Sequence, residues 1–488
     1  MAVSGWSATR YLASSAFLKI GFADMFLRRV FSRDYKTKGP AYGLDLLEIT
    51  RWCIAAQSIE RKRVIVRRIL FVIAALFLPF SSTWSGSLAI MATIYVGIIE
   101  FYYHYRINFG DLAAVCLDPE AGPKNDVKVA PEETTALAAL QAEQNGNVCI
   151  YGGFTPFVGA GLETLTWSVA ISLKPKSIEG VATAPPPTTS FVAADVYDAV
   201  IPELEALRIP RFQSREVICV PGNLVRNIPT LFDSASLVPN YSTDPSRFGE
   251  DVSLASSPVR VYRLLQIGSV RSDVIVNYFF RTTVTAETLF VEVSSHLNLP
   301  INSSYRTLDQ LPRRRKFLTL PAMFLEALFT APLLFAYDIL MFGASVFRVV
   351  SDPLSLVERS RYVPSRKTRQ YVLDNPMYDF GATQGIRDVY GAKSFDSYAQ
   401  LQDAVLYNKM LDSRLLDMLL EFLERKNVDT SDFRSQKSTI INTGVIVSGT
   451  LTAGAVAVGQ GSQAAARGNV GAAAGQVARS VTRESGTS

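Results

Sequence analysis

Residues 69–105 and 317–350 are two long apolar stretches, each entered behind a block of basic residues, and they constrain this chain more than any other feature. Charge within them is confined to Glu100 near one end of the first and to Glu326, Asp338 and, near its end, Arg348 in the second. A run of roughly eighteen or more apolar residues is the usual mark of a helix crossing a bilayer. The expectation is therefore a membrane-anchored chain. At 34 to 37 residues, each stretch is too long for one crossing helix, which needs about 20 residues, and folding back halves it to roughly a bilayer's thickness. Pro79 and the run Ser81–Ser87 offer a turn in the first stretch, and Ala331-Pro332 offers a weaker one in the second.

Charge sets the expected sidedness. Arg61, Lys62, Arg63, Arg67 and Arg68 precede the first stretch, and Arg313, Arg314, Arg315 and Lys316 precede the second. Two hairpins keep both clusters in the cytoplasm, as the positive-inside tendency favours, whereas single crossings do not. Re-entrant or interfacial helices and a buried protein core are the alternatives. Asp338 is a candidate intramembrane acid; a place at a hairpin turn, or facing Ser and Thr of the other hairpin, explains it more simply than an ion relay.

Composition excludes several classes. Of 488 residues, 48% are apolar and 19% charged, and the net charge of +5 gathers beside the apolar stretches. No basic stripe interleaved with aromatics marks a nucleic-acid surface. The four cysteines, Cys53, Cys116, Cys149 and Cys219, have no CxxC spacing, which argues against a disulfide framework or a zinc site. His104 and His296 stand apart from any recognisable nucleophile or acid motif. No cofactor and no metal are expected.

Between the stretches, residues 106–312 read as a mixed α+β domain. Leu165, Trp167, Val169, Ile171 and Leu173 alternate with polar or small residues, the pattern of a half-buried strand. Short apolar runs at 147–151, 216–220, 259–267, 273–281 and 288–294 add further strands, and 193–206 adds a helix. Gly152, Gly153, Gly159 and Gly161 make a glycine-rich loop behind the first strand, a candidate cofactor cradle. Because a strand rather than a helix follows it, no helix N-terminus faces the loop, and a tight turn between strands explains it better. Leu401, Val405, Leu411, Leu415, Met418, Leu419, Phe422 and Leu423 trace one helical face near the C-terminus.

The tail repeats. Gly444, Gly449, Gly454 and Gly459 are separated by the uncharged spacers VIVS, TLTA and AVAV, a composition that favours β structure and stacking between chains. Through YGGFTPFVGAG at 151–161 and INTGVIVSGTLTAGAVAVG at 441–459, the chain resembles a family of uncharacterised actinobacterial membrane proteins. That resemblance implies no catalytic residue. The tail is also similar to the short amyloid signalling motifs of bacterial immune and cell-death proteins. Val456-Ala457-Val458-Gly459 follows the Val-Gln-Val-Gly core of the related animal motif, with Ala457 in place of Gln.

The sequence thus leads to an α+β membrane protein, multi-pass in the cell membrane with its bulk cytoplasmic. Its parts are an amphipathic helical region (1–68), transmembrane helical hairpins (69–105 and 313–350), a mixed α+β cytoplasmic domain (106–312), a helical region (351–436), a β-prone segment (437–461) and a disordered tail (462–488). The expected role is a structural or signalling platform, in stress or defence, that self-associates or recruits a protein partner through the β-prone segment. Its other partner is the lipid bilayer; nucleic acid is not one. The alternative is a membrane-surface enzyme or ligand sensor centred on the 152–161 loop.

Overall fold

The computed structural model describes residues 7–19, 21–31, 34–77, 82–117, 131–176, 189–209, 211–233, 237–245, 247, 257–268, 273–311, 320–331, 333, 337, 340 and 366–442. Two compact units divide them. The first holds residues 1–36, 44–144 and 303–378; the second holds 37–43, 145–302 and 379–488.

The first unit is helical: α1 (Ser7–Leu18), α2 (Phe22–Val30), α3 (Leu46–Phe77), α4 (Ser82–Phe109), α5 (Asp111–Leu117), α6 (Pro131–Asn145), α8 (residues 320–331) and α9 (Arg366–Asp374). The amphipathic run near the N-terminus is two helices, parted at Gly21, whose φ of +78° suits a residue without a Cβ. Phe22, Phe26 and Val30 of α2 are buried, and α2 packs on α3. Phe17 of α1 meets Trp52 of α3 edge to face at 5.5 Å.

The two expected transmembrane hairpins are not found: among the described residues no helix is long and apolar enough to cross a membrane. The reading of the chain as a multi-pass protein of the cell membrane is corrected accordingly. Local composition gives the reason. In α3 the basic residues Arg61 to Arg68 sit inside the helix, and only residues 69–77 of the first apolar stretch follow them. Arg63, expected to flank a bilayer, is buried instead. Its Nε lies 3.3 Å from Glu100 of α4, and its guanidinium lies 4.2 Å from the centre of the Tyr103 ring. A buried cation needs such a partner. In the second stretch the described helix takes in residues 320–331, with 333, 337 and 340 also helical. It packs on α4 within this unit: Phe324 meets Phe101 edge to face at 5.6 Å, and Gly97 leaves room for Leu328.

The second unit is the α+β part. Its strands are β1 (Val148–Tyr151), β2 (Leu162–Ser172), β3 (Phe212–Pro221), β4 (Phe232–Asp233), β5 (Val238–Pro239), β6 (Arg260–Gly268), β7 (Ile275–Val284) and β8 (Thr288–Asn298). Its helices are α7 (Ala193–Glu205), α10 (Ile386–Tyr390), α11 (Tyr398–Arg425) and α12 (Ser431–Asn442). Six strands form one sheet in the order β1-β3-β6-β7-β8-β2; only β1 and β3 run parallel. β4 and β5 form a separate small ribbon.

Alternation assigns the two faces. Val169 and Ile171 of β2, Leu265 and Ile267 of β6, Tyr278 and Phe280 of β7, and Val291 and Val293 of β8 join Val196, Val200, Leu415 and Leu419 of α7 and α11 in the main core. Each such fully buried side chain contributes about 1.5–3 kcal/mol. The opposite face carries Cys149, Cys219, Tyr262, Leu264 and Phe279, with Tyr42 against them. The helical region expected at 351–436 is shared out: α9 belongs to the first unit, and α11 forms the helix layer of the second.

Candidate functional site

The glycine-rich loop is the natural starting point, and it is not a tight turn. β1 and β2 lie at opposite edges of the sheet, and residues 152–161 join them across the face opposite α7 and α11. Phe157 anchors this strap. Its ring centre lies 5.2 Å from Tyr262, 4.6 Å from Phe279 and 4.7 Å from His296, reaching β6, β7 and β8 in turn. The Cys149 thiol donates to the Pro156 carbonyl at 3.6 Å. Gly159 and Gly161 have φ of +79° and +93°, and a Cβ on either would lie 2.1 Å from a backbone oxygen, of Pro40 and Leu297 respectively. Gly159 and Gly161 permit this close packing of backbone on backbone.

Amide side chains on the sheet hold the strap. Gln266 Nε2 donates to Asn277 Oδ1 at 2.8 Å, and Asn277 Nδ2 donates to the Ala160 carbonyl at 2.9 Å and to Asn298 Oδ1 at 2.7 Å. Asn298 Nδ2 continues to the Gly159 carbonyl at 2.9 Å. Nearby, Arg387 is 1% exposed. Its guanidinium donates to four backbone carbonyls, those of Tyr42, Gly43, Asp273 and Leu299, at 2.7–3.3 Å. Burial lowers its pKa to about 10, against the favourable pull of Asp273 and Asp388, so it remains a cation at neutral pH.

His296 and Ser294 form a pair with the makings of a nucleophile and base, Ser294 Oγ lying 2.9 Å from His296 Nε2. Burial lowers the histidine's pKa to about 4, opposed by a hydrogen bond with the Gly161 backbone. The ring is neutral at physiological pH. Ser294 also lies 3.2 Å from Thr166 Oγ1, whose hydroxyl donates to Glu163 Oε1 at 2.8 Å. This chain joins β8 to β2 beneath Phe157, with Ser294 3% and His296 4% exposed. Its geometry is that of a joint. On the other face, Asp412 of α11 accepts from Tyr278 at 2.7 Å and from the Trp167 indole of β2 at 3.0 Å. Burial raises its pKa to about 6 despite those donors.

The two edges of the sheet differ. At β1, residues 379–382 come alongside, Ala382 N donating to Ile150 O and Gly152 N to Ala382 O, while Val148 N donates to Tyr241 O of a separate segment. Gly152, Gly222 and Gly381 make this possible, since a Cβ on Gly381 would lie 2.1 Å from Tyr151 and one on Gly222 2.1 Å from Asp379. At β2, among the described residues no strand other than β8 pairs with residues 162–172. Thr166, Ser168, Ala170 and Ser172 are exposed there. Beyond the end of β2, Lys176 N donates to Asn427 O and Asp429 N to Lys174 O, so the chain entering α12 is tied to it. Phe433 and Ile440 of α12 pack on the main core, and α12 touches β2.

The remaining expected site residues scatter. Arg61 and Lys62 are exposed on α3, Arg61 donating to Gln57. Arg67 and Arg68 lie on α3 as well. Arg313, Arg314, Arg315, Lys316 and Asp338 lie outside the described residues, as do Gly444, Gly449, Gly454, Gly459 and the tail 462–488. Residues 437–442, the start of the β-prone segment, close helix α12. Among the described residues no group of three or more His, Cys, Asp or Glu could hold a metal ion. Arg387, Asn277, Asn298 and Asp412 were missed: each is a single polar residue in an otherwise ordinary run, and only Asp412, on the apolar side of an amphipathic helix, leaves a trace.

No curated protein and no solved structure matches the chain. The family model described as the AbeC-like domain matches residues 166–457. That span takes in most of β2, strands β3 to β8, the helix layer, part of the first unit and most of the glycine-periodic segment; β1 and the 152–161 strap precede it. More than half of the sequence is matched, and the chain belongs to the AbeC-like domain family.

Proposed function

We propose that this protein is an assembly platform: its α+β unit presents residues 443–461 for self-association or for recruiting a partner. The observation that carries the proposal is the docking of α12. Lys437 pairs with Asp417, and Arg434 with Glu424, both across to α11. Phe433 is 2% exposed in the main core. The chain therefore leaves Asn442 from a fixed point on the sheet's helix layer, not from a loose linker. From there the sequence carries no charge until Arg467 and no proline, the composition of segments that pair strand to strand. Polar groups around the 152–161 strap are engaged in holding it, which favours a scaffold over a catalyst. An actinobacterial origin and a role in defence or stress responses belong to this same reading, supported by the likeness of the tail to cell-death signalling motifs.

Sedimentation velocity over a concentration series tests the proposal, comparing the full chain with a chain ending at Asn442 and with a Val447→Pro/Val456→Pro variant. The expected result is a concentration-dependent increase in mass for the full chain alone. Identical, monomeric behaviour of all three, with and without cell lysate fractions as a source of partner, contradicts it.

A further inference from the structure

The open edge of β2 and the segment that follows α12 fit one another. An unpaired strand edge is ordinarily protected by short length, charge, proline or a bulge that turns it away. β2 is 11 residues long, LETLTWSVAIS, with one charged residue, Glu163, and one register shift, both at its beginning. From Leu165 to Ser172 the strand carries no charge, proline or register shift that would protect it. Hydrogen bonds from these residues to described neighbours other than β8 come from side chains alone, Thr166 to Glu163 and Trp167 to Asp412. The opposite edge shows that this fold can cover a strand: residues 379–382 do so at β1.

We infer that residues 443–461 of the same chain add to the sheet as a seventh strand along the outer edge of β2. Reach favours this occupant. The chain is tied to the end of β2 at residues 174–176 by residues 427–429, and α12 touches β2. α12 has 12 residues, about 18 Å, so the segment starts within about that distance of the tie. Nineteen residues extend to about 60 Å, more than the roughly 36 Å of β2. A tether this short gives a high effective concentration, which places a chain's own segment ahead of one from another copy. The spacers VIVS, TLTA and AVAV supply the β-branched and small residues that suit a strand at a half-exposed edge. The glycine at every fifth position falls on alternating faces, so neither face becomes continuously bulky.

This inference builds on the platform reading: self-association then becomes exchange of the same strand between copies, with the same contacts. It is tested in the full chain by pulsed electron–electron distance measurement between nitroxides on Ser168→Cys and Thr450→Cys. The four native cysteines are buried and stay unlabelled. The Ser168 side chain stands out of the sheet plane, so its label leaves the edge open. The expected result is a narrow distance distribution below about 30 Å, the span of neighbouring strands offset by a few residues. It must survive dilution with excess unlabelled chain and broaden in the Val447→Pro/Val456→Pro background. A broad distribution overturns the inference, and so does a short distance that dilution abolishes, which would put the segment on another copy. Sedimentation of the same samples separates the two claims. Tail-dependent self-association with a broad distribution refutes the strand addition alone; a narrow distribution in a chain that stays monomeric refutes self-association alone.

Discussion

The two edges of the sheet answer the same physical problem in different ways. β1 has 4 residues and is covered by residues 379–382, which fit only because three glycines let backbone meet backbone. β2 has 11 residues and no cover from the described chain. Free backbone donors and acceptors on a long strand invite another strand. An edge sealed with such close packing beside an edge left open suggests that the open one is reserved for use.

The largest effect should come from breaking the sealed edge. Gly381→Ala places a Cβ about 2 Å from Tyr151; it should cost about 3 kcal/mol or more in urea unfolding, since overpacked backbone must move. Loss of less than about 1 kcal/mol would mean that the cover is loose and the contrast between edges weak.

Acid should act on the β2 side and spare β1. His296, paired in register with Glu163 of β2, has a folded pKa of about 4 against 6.5 unfolded. Its contribution is present above pH 6.5 and lost as pH falls through about 4. Asp412, holding Trp167 of β2, has a folded pKa of about 6 against 3.8. Its contribution is present below pH 3.8 and lost as pH rises through about 6. Each is worth about 3 kcal/mol over its window, and they offset one another between pH 4 and 6. Asp412→Asn should therefore uncover a fall of about 3 kcal/mol from pH 7 to pH 4 that the parent chain lacks. His296→Gln should show the opposite slope. Parallel pH profiles for all three chains would detach these groups from the stability of β2.

A middling effect is expected at the strap. Asn277→Ala leaves Gln266, Asn298 and the Ala160 carbonyl short of a partner, a cost of about 2 kcal/mol. Faster proteolysis within 152–161 should accompany it. The smallest effect belongs to the open edge. Ser168→Lys should change stability of the chain ending at Asn442 by less than about 0.5 kcal/mol, because the site is exposed. A larger cost would show that β2 is already covered.

The elements of the sheet were legible because their patterns are local. Alternation from Leu165 to Leu173 and the β-branched and aromatic runs of β6, β7 and β8 give strands wherever they lie. The helical face from Leu401 to Leu423 did the same for α11. The order of the strands was not legible, since nothing in 147–173 says that β1 and β2 part to opposite edges; the loop between them therefore read as a turn. The apolar stretches misled because hydropathy averages over neighbours. Arg63 looks like a membrane flank until Glu100, 37 positions away, is seen beside it. Arg387 was invisible for a related reason: its four carbonyl partners come from three distant segments.

Amide hydrogen exchange on the chain ending at Asn442 tests the contrast between edges most directly. The account predicts slow exchange at Val148 and Gly152, whose amides are bonded across the covered edge, and fast exchange at the outward amides between Leu165 and Ser172. Equal protection at the two edges would contradict it.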